Sequence, residues 1–309
     1  MRLLFLGTPE FAAPSLRALL ASRHEVVGVV AQPSRPSGRG LTITDPPTIA
    51  LARERGVATF QPTKLHSAET LESFRTLRPD LIVTAAFGRL LRPSLLTLPA
   101  RGCWNLHASL LPRHRGAAPV SASLLSGDRW TGVTLFQLDE GMDTGPMLHQ
   151  RMLAIAPAET AGELTARLAD LAAETLLEGL ALAQSDRLTA LTQSEEGATY
   201  TKLLTKEDGR LRFDRPAEQV DRWVRAVTPW PGAFVELAGK RLRVHRAQPW
   251  HELPCESAPG TVLSTRDRFV VACLPGAIVF EEVQSEGRKR QPALEWLRGA
   301  AISVGDRFA

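Results

Sequence analysis

Apolar residues in the first part of the chain form short runs of strand length, and segments with a helical period separate them. The runs predict buried strands at residues 2–6, 25–31, 80–85 and 102–107. Helical spacing predicts a helix from the Gly7-Thr8-Pro9 turn to about Leu20, and further helices at residues 48–55 and 68–77. Strands that alternate with helices build a parallel sheet covered by helices. We therefore expect an α/β domain with an open, Rossmann-like parallel sheet.

The same pattern continues beyond residue 130. Strands are predicted at residues 131–137 and 148–154, and alanine and leucine at helical spacing predict a long packing helix over residues 160–183. The turn after the first strand contains one glycine instead of a Gly-x-Gly-x-x-Gly fingerprint, so we expect no dinucleotide cofactor. Residues 32–47 interrupt the pattern as a polar loop with four prolines, two glycines and two arginines. Loops of this length are often functional.

The last third of the chain changes from long helices to short alternating strands. Residues 188–206 carry little periodicity and are predicted to be a linker. An amphipathic helix is predicted at residues 217–227, followed by short strands at residues 233–237, 242–247, 260–263, 269–272 and 277–283. Five short strands suit a small β-barrel of the oligonucleotide-binding (OB) type. We therefore expect one domain at residues 1–187 and another at residues 207–309.

The composition indicates the class of protein, but it does not identify a partner. With 309 residues, 44% of them hydrophobic and 23% charged, the chain is ordinary for a soluble globular protein. Three cysteines without paired spacing predict neither a disulfide framework nor a zinc site. The start lacks the features of a secretory signal, and no apolar run reaches the ~20 residues that cross a bilayer. We therefore expect a cytoplasmic protein, and its net charge of +4 permits a phosphate-bearing partner without requiring one.

Candidate chemistry concentrates at the end of the predicted strand 102–107. Asn105 and His107 lie two residues apart, so their side chains share one face of that strand. Asp143 lies downstream between Gly141 and Gly145, which permit a tight turn. An amide donor, an imidazole and a carboxylate form a minimal set for moving an acyl group. Taken singly, each has a structural alternative, namely a core histidine, an asparagine cap or an Asx-turn.

Ordered motifs along the chain resemble one enzyme family. They are Phe5-Leu-Gly-Thr-Pro-Glu-Phe-Ala12, Arg35-Pro-Ser-Gly-Arg-Gly40, Ser109-Leu-Leu-Pro112, Gly141-Met-Asp-Thr-Gly145 and Pro229-Trp-Pro-Gly232. Together with Asn105 and His107, they resemble the formyltransferases that use 10-formyltetrahydrofolate, over nearly all of the chain. The resemblance implies a formyltransferase domain followed by an OB-like C-terminal domain. It also implies 10-formyltetrahydrofolate as co-substrate. The remaining histidines have no metal-type pairing, so we expect no metal.

The resemblance gives each candidate residue an expected role. Asn105 would stabilise the oxyanion of a tetrahedral intermediate, which is worth ~3–4 kcal/mol for known donors of this kind. His107 would transfer a proton or donate to the oxyanion, and Asp143 would orient His107 or relay a proton through water. Which of the two first takes the amine proton stays open. The expected folate contacts are Ser109, Leu110, Leu111 and Pro112, a segment that lacks the Gly-x-Ser-x-Gly elbow of a serine hydrolase.

Basic residues are the expected contacts to a nucleic-acid partner. In the family, the loop at residues 32–47 resembles an insertion that contacts the tRNA acceptor end, which points to Arg35 and more strongly to Arg39. In the last third of the chain the predicted tRNA contacts are Lys206, Arg241 and Arg243. A solvated face is the structural alternative for each of them.

Three functions are open at this stage. The first and preferred one is transfer of a formyl group to initiator methionyl-tRNA by a monomeric enzyme. The second is formylation of a small amine, an aminosugar nucleotide or glycinamide ribonucleotide, which would need neither the arginine-bearing loop nor the barrel. The third is an RNA-binding protein with an inactive catalytic domain, against which the intact candidate residues argue. Arg113 and Arg115 are either a solvated face or phosphate contacts, and His114 departs from the aromatic residue of the family pattern and receives no role.

Overall fold

Two compact units make up the chain in the computed structural model, which describes residues 1–37, 42–237, 239–251 and 257–308. Unit 1 comprises Met1–Pro119, Trp130–Ala154 and Thr165–Thr201, and unit 2 comprises Val120–Arg129, Ile155–Leu164 and Lys202–Ala309. The units interleave along the chain, whereas the sequence predicts consecutive domains at residues 1–187 and 207–309. That division stays a prediction.

Strands and helices alternate through the first 201 residues. The strands are β1 (Arg2–Gly7), β2 (Glu25–Val30), β3 (Arg35–Ser37), β4 (Thr42–Thr44), β5 (Thr59–Phe60), β6 (Leu81–Ala85), β7 (Cys103–His107), β8 (Arg115–Gly116), β9 (Trp130–Gln137), β10 (Met147–Ala154) and β11 (Tyr200–Thr201). The helices are α1 (Ala13–Leu20), α2 (Pro47–Glu54), α3 (Ala68–Thr76), α4 (Pro93–Leu96), α5 (Pro119–Ser126) and α6 (Ala161–Gln184). The apolar pattern does not predict α4 or the two- and three-residue strands, which are too short to carry a measurable period, or α5, whose residues are all small or apolar.

The main sheet of unit 1 has a parallel core and an antiparallel edge. β5, β2, β1, β6 and β7 are parallel neighbours in that order, and β9 and β10 follow beside β7, with β9 antiparallel to both of its neighbours. Residues 3–6 of β1 are fully buried, as expected for a central strand covered on both faces. The predicted Rossmann-like α/β class is confirmed. The carboxyl ends of the parallel strands share one edge, where β7 ends at His107.

A short hairpin occupies the predicted polar loop at residues 32–47. β3 and β4 pair antiparallel, with Arg35 opposite Thr44. At the base of the hairpin Ser34 Oγ donates a hydrogen bond to Asp45 Oδ1 at 2.8 Å. Arg39 lies outside the described residues.

Unit 2 is built on an antiparallel sheet. Its main elements are α7 (Ala217–Ala226), β12 (Ala233–Leu237), β13 (Lys240–Trp250), β14 (Val262–Ser264), β15 (Phe269–Ala272), β16 (Ala277–Ser285), β17 (Gln291–Pro292) and α8 (Ala293–Leu297). The sheet order is β12-β13-β16-β15-β14, and β17 pairs with β16. Register shifts between Val244 and Ala247 curl the sheet, because a bulge bends the strand that carries it. The predicted small β domain is confirmed, as a curled half-barrel.

Aromatic packing fills the core of unit 2. Phe269 lies edge-on to Phe280, with ring centroids 5.3 Å apart, and stacks on Trp296 at 5.7 Å. Val220 and Val224 of α7 are buried in the same cluster. The helix therefore closes one face of the curled sheet, as its predicted amphipathic pattern requires.

The thiol of Cys103, which begins β7, is expected to be unreactive in the folded protein. It is fully buried, and burial raises the pKa of the Cys103 thiol to about 12. At pH 8 such a thiol has about a thousand-fold less thiolate than an unfolded cysteine. We expect alkylation of Cys103 to be slower by about that factor in the native protein than in guanidinium, as measured by peptide mass spectrometry. Equal native and unfolded rates would contradict the buried position of the start of β7.

Candidate active site

Asn105 and His107 lie on one face at the carboxyl end of β7. Asn105 is opposite Thr84 of the parallel neighbour β6, and His107 is opposite Thr134 of the antiparallel neighbour β9. Thr84 Oγ1 donates a hydrogen bond to Asn105 Oδ1 at 2.5 Å. In the part of the chain that the structure describes, Asn105 Nδ2 makes no hydrogen bond. The anchored oxygen therefore leaves the amide donors of Asn105 available to a ligand.

One nitrogen of the His107 imidazole is fixed by a hydrogen bond to the backbone. It is 6% exposed, and its Nε2 lies 2.8 Å from the carbonyl oxygen of His114. A carbonyl only accepts, so Nε2 carries the proton in this bond. The edge of the ring also meets Phe136 at a centroid distance of 6.4 Å. The geometry therefore makes Nδ1 the nitrogen of His107 that can exchange a proton.

Asp143 faces that nitrogen. Its Oδ2 lies 3.5 Å from His107 Nδ1 and accepts a hydrogen bond from the backbone N–H of Gly116 at 2.7 Å. Asp143 adopts a left-handed backbone conformation with φ 57°, in the loop between β9 and β10. A side chain at Gly145 would lie 1.8 Å from the carbonyl oxygen of Gln137, so the turn that presents Asp143 requires glycine there.

Two further residues support this turn: Gln193, which is not among the sequence-predicted candidates, and Arg115, for which the sequence offered only a solvated face or a phosphate contact. Gln193 Nε2 donates to the carbonyl oxygens of Asp143 and Gly145, at 2.8 and 2.7 Å. Arg115 Nε donates to Gln193 Oε1 at 3.1 Å. Gln193 lies within the predicted linker, where the sequence offers no periodic signal that would single it out.

Arg115 is neither a solvated face nor a surface phosphate contact. Its side chain is fully buried, and Nη1 donates to both oxygens of Glu195, at 3.0 and 3.2 Å, and to the Tyr200 hydroxyl at 2.7 Å. β8 and β11 pair in parallel beside it, with Arg115 opposite Tyr200. Most of the predicted linker, residues 188–201, therefore belongs to unit 1, where Glu195 and Tyr200 supply hydrogen-bond partners to the buried guanidinium.

The predicted folate segment lies immediately after β7. Ser109 and Leu111 are buried, while Leu110 and Pro112 are half-buried. Thr134 Oγ1 donates to the Ser109 carbonyl at 2.7 Å and accepts from the Leu111 N–H at 3.1 Å. This segment is thus tied to β9 through its backbone. Its role in binding folate stays a prediction.

The predicted tRNA contacts fall into different environments. Arg35 lies in β3, and Arg39 lies outside the described residues. Lys206 and Arg243 are exposed and form no ion pair with any residue that the structure describes. Arg241 lies over the Phe234 ring at 3.9 Å.

Arg241 already has an ion-pair partner within unit 2. Its Nη2 lies 3.1 Å from Glu236 Oε1. Hydrogen bonds from Arg210 and Arg241 hold the pKa of Glu236 below its usual value. Arg241 keeps its charge, but a phosphate would have to share it with Glu236, whereas Lys206 and Arg243 have no ion pair with any described residue.

Metal and membrane features are not found in the described ranges. No group of three or more histidine, cysteine, aspartate or glutamate side chains there has the arrangement of a metal site. No helix within them is long and apolar enough to span a bilayer.

The chain belongs to the formyl transferase family. The model of the formyl transferase domain matches residues 1–180, and the model of the formyl transferase C-terminal domain matches residues 203–301. Among relatives, a methionyl-tRNA formyltransferase of Geobacter sulfurreducens is 44% identical over all of this chain and 96% of its own length. A methionyl-tRNA formyltransferase of Myxococcus xanthus is 46% identical over 99% of this chain and 97% of its own.

Solved structures share this fold at lower sequence identity. HypX of Aquifex aeolicus in complex with tetrahydrofolic acid matches all of this chain and 50% of its own, with a TM-score of 0.63 and 20% identity. An N-formyltransferase of Helicobacter canadensis, in complex with folinic acid and dTDP-3-aminofucose, matches 92% of this chain and 98% of its own. Its TM-score is 0.68 and its identity 15%. These likenesses establish the fold.

The neutral tautomer of His107 follows from its bond to His114. We expect the neutral ring to carry its proton on Nε2 and to leave Nδ1 bare, as measured by ¹⁵N-resolved NMR of the imidazole above the titration range. A His107→Gln variant assigns the signal, and the half-buried His149 provides a comparison ring. A proton found on Nδ1 of neutral His107 would contradict the geometry.

Proposed function

We propose that this formyl transferase moves the formyl group of 10-formyltetrahydrofolate to the α-amino group of methionine esterified to initiator tRNA. The observation that carries the chemistry is that His107 Nδ1 lies 3.5 Å from Asp143 Oδ2, on the strand face that also carries Asn105, whose Nδ2 makes no hydrogen bond within the described residues. The observation that favours this acceptor is 42–46% identity, over nearly the whole chain, to relatives named methionyl-tRNA formyltransferase.

The reaction needs one bond formed, one broken and one proton moved. The amine nitrogen attacks the formyl carbon, and the carbonyl oxygen becomes an oxyanion in a tetrahedral intermediate. The bond from that carbon to N10 of the folate then breaks, N10 gains a proton, and the amine loses one. The products are the N-formyl amine and tetrahydrofolate. Asn105 Nδ2, free of protein partners among the described residues, is the donor proposed for the oxyanion.

His107 and Asp143 are proposed to handle the proton as a pair. Nε2 of His107 and Oδ2 of Asp143 are already engaged, by the His114 carbonyl and the Gly116 N–H. The remaining positions are Nδ1 of His107 and Oδ1 of Asp143. A proton accepted from the amine at either position is stabilised by the other group, because a carboxylate favours the protonated ring. The pair then returns that proton to N10.

Separate sets of residues are proposed to contact the two substrates. The segment Ser109–Pro112 would contact the folate through backbone groups and the half-buried Leu110 and Pro112, since Ser109 and Leu111 are buried. Lys206 and Arg243, exposed and unpaired among the described residues, would contact phosphates of the tRNA, as would Arg35 and Arg39.

The acceptor is tested by direct competition of substrates. With 10-formyltetrahydrofolate, we expect rapid formylation of methionyl initiator tRNA and none of a dTDP-aminosugar or of glycinamide ribonucleotide. Asn105→Ala should lower kcat by about 10²–10³-fold, because the oxyanion loses its donor. If one of the small amines is formylated and the tRNA is not, the proposed acceptor is wrong.

Thr84 provides a matched control for Asn105. Thr84→Val keeps the buried shape but removes the hydroxyl that orients the amide, and should lower kcat on the order of 10-fold. Thr84→Ser keeps the hydroxyl and should retain most of the activity. Equal activity of the two variants would show that the anchor of Asn105 is unimportant.

The unpaired cations are tested through salt dependence. Lys206→Ala and Arg243→Ala should each raise KM for the tRNA while kcat changes little. Each should reduce the slope of log affinity against log salt by about one, since one phosphate contact is lost. Lys64→Ala removes one exposed charge from unit 1 and serves as the matched control. An unchanged slope in both variants would remove these residues from the proposed interface.

A further inference from the structure

Gln193 holds the backbone on both sides of the turn that presents Asp143. It is 7% exposed, and its two amide hydrogens go to the carbonyls of Asp143 and Gly145. Leu191 and Met147 exchange a reciprocal pair of backbone hydrogen bonds at 2.8 Å. The segment that carries Gln193 is therefore fixed alongside this turn, and the amide of Gln193 has no donor left for any other partner.

Arg115 sets the orientation of that amide. Its Nε donates to Gln193 Oε1, so the NH₂ end of Gln193 must face the two carbonyls. The next residue, Gly116, donates its backbone N–H to Asp143 Oδ2. One short strand, β8, thus holds the Asp143 carboxylate directly and holds its backbone through Gln193.

Asp143 needs such support because its backbone is in the left-handed region, at φ 57°. This region is uncommon for any non-glycine residue, although aspartate tolerates it better than most, and contacts to the surrounding backbone stabilise it. The 3.5 Å separation of His107 and Asp143 depends on that conformation. The hydrogen bonds of Gln193 act on this backbone directly, at the carbonyl groups of Asp143 and Gly145.

We propose that Gln193, oriented by Arg115, is a positioning residue for formyl transfer that sets the Asp143 carboxylate relative to His107. The inference rests on the proposed role of Asp143 in moving the amine proton. Gln193 contacts the backbone of Asp143 and no reacting atom, so its effect on the rate must pass through Asp143.

Gln193→Glu tests this with a minimal change. The variant keeps the shape and the oxygen that accepts from Arg115, but it loses both donors and places a carboxylate oxygen against two carbonyls. We expect kcat to fall by about 10- to 100-fold, as expected for a small misplacement of a catalytic group. KM for each substrate should change by less than about threefold, because the bonds of residues 109–112 to Thr134 are untouched. Gln184→Glu, the same substitution at an exposed position of α6, should leave kcat unchanged.

A double-mutant cycle separates positioning from a general structural role. In an Asp143→Ala background, Gln193→Glu should cost less than about twofold in kcat, because the group that it positions is gone. Additive losses, or an unchanged kcat for Gln193→Glu alone, would overturn the inference. If Asp143→Ala itself retains full activity, the proposed proton transfer fails instead, and the two failures are thereby distinguished.

Folding of each variant is checked by circular dichroism and thermal melting. If Gln193→Glu does not fold, Gln193→Met takes its place, since it has a similar length, introduces no charge and also removes both donors. The same loss of kcat, abolished in the Asp143→Ala background, is expected. Wild-type kcat for a folded Gln193→Met would overturn the inference.

Discussion

The hydrogen bond from His107 Nε2 to the His114 carbonyl is the constraint on which the site depends. A neutral imidazole has one N–H, and this bond assigns it to the nitrogen that faces the protein backbone. The other nitrogen then faces Asp143, where a carboxylate oxygen already receives the Gly116 N–H. Ring orientation and proton position are thus determined by backbone groups of a single segment, residues 114–116. A backbone carbonyl only accepts, so the proton on Nε2 keeps its partner whether Nδ1 is bare or protonated.

The same segment connects the reaction centre to the interior of unit 1. Residue 114 accepts from His107, residue 116 donates to Asp143, and between them Arg115 is buried with Gln193, Glu195 and Tyr200 around its guanidinium. A buried arginine is costly unless its donors have partners, and here Nε and Nη1 donate to residues that follow α6, while Nη2 has no hydrogen-bond partner among the described residues. The catalytic geometry therefore relies on chain segments that are far apart in sequence.

In unit 2, packing divides basic residues of similar appearance into two kinds. Arg210 and Arg241 both lie over Phe234 and both form an ion pair with Glu236, so each already has a partner within unit 2. Arg243, two residues along β13 from Arg241, is exposed and has no ion pair within the described ranges. A surface cation without a partner has no ion pair to break when it binds a phosphate. Arg243 and Lys206 are therefore the better candidates for tRNA contact.

The sequence alone determined the architecture and the candidate residues of the site. Continuous apolar runs identify β1, β2, β6 and β7, since a strand buried on both faces has no polar alternation. The two-residue spacing of Asn105 and His107 places them on one face, because side chains alternate along a strand. Asp143 stands out through its flanking glycines. These signals are local, and local patterns are what a single sequence can express.

Tertiary structure alone decided which atoms of those residues are available. Nothing near His107 in the sequence indicates that its Nε2 donates a hydrogen bond to the backbone carbonyl of His114. Gln193 and Arg115 lie in stretches without periodicity or with ordinary surface composition, and only folding brings them together over a sequence distance of 78 residues. Long-range hydrogen bonds depend on where chain segments meet in space, and that information is spread over the whole fold instead of residing in any one motif.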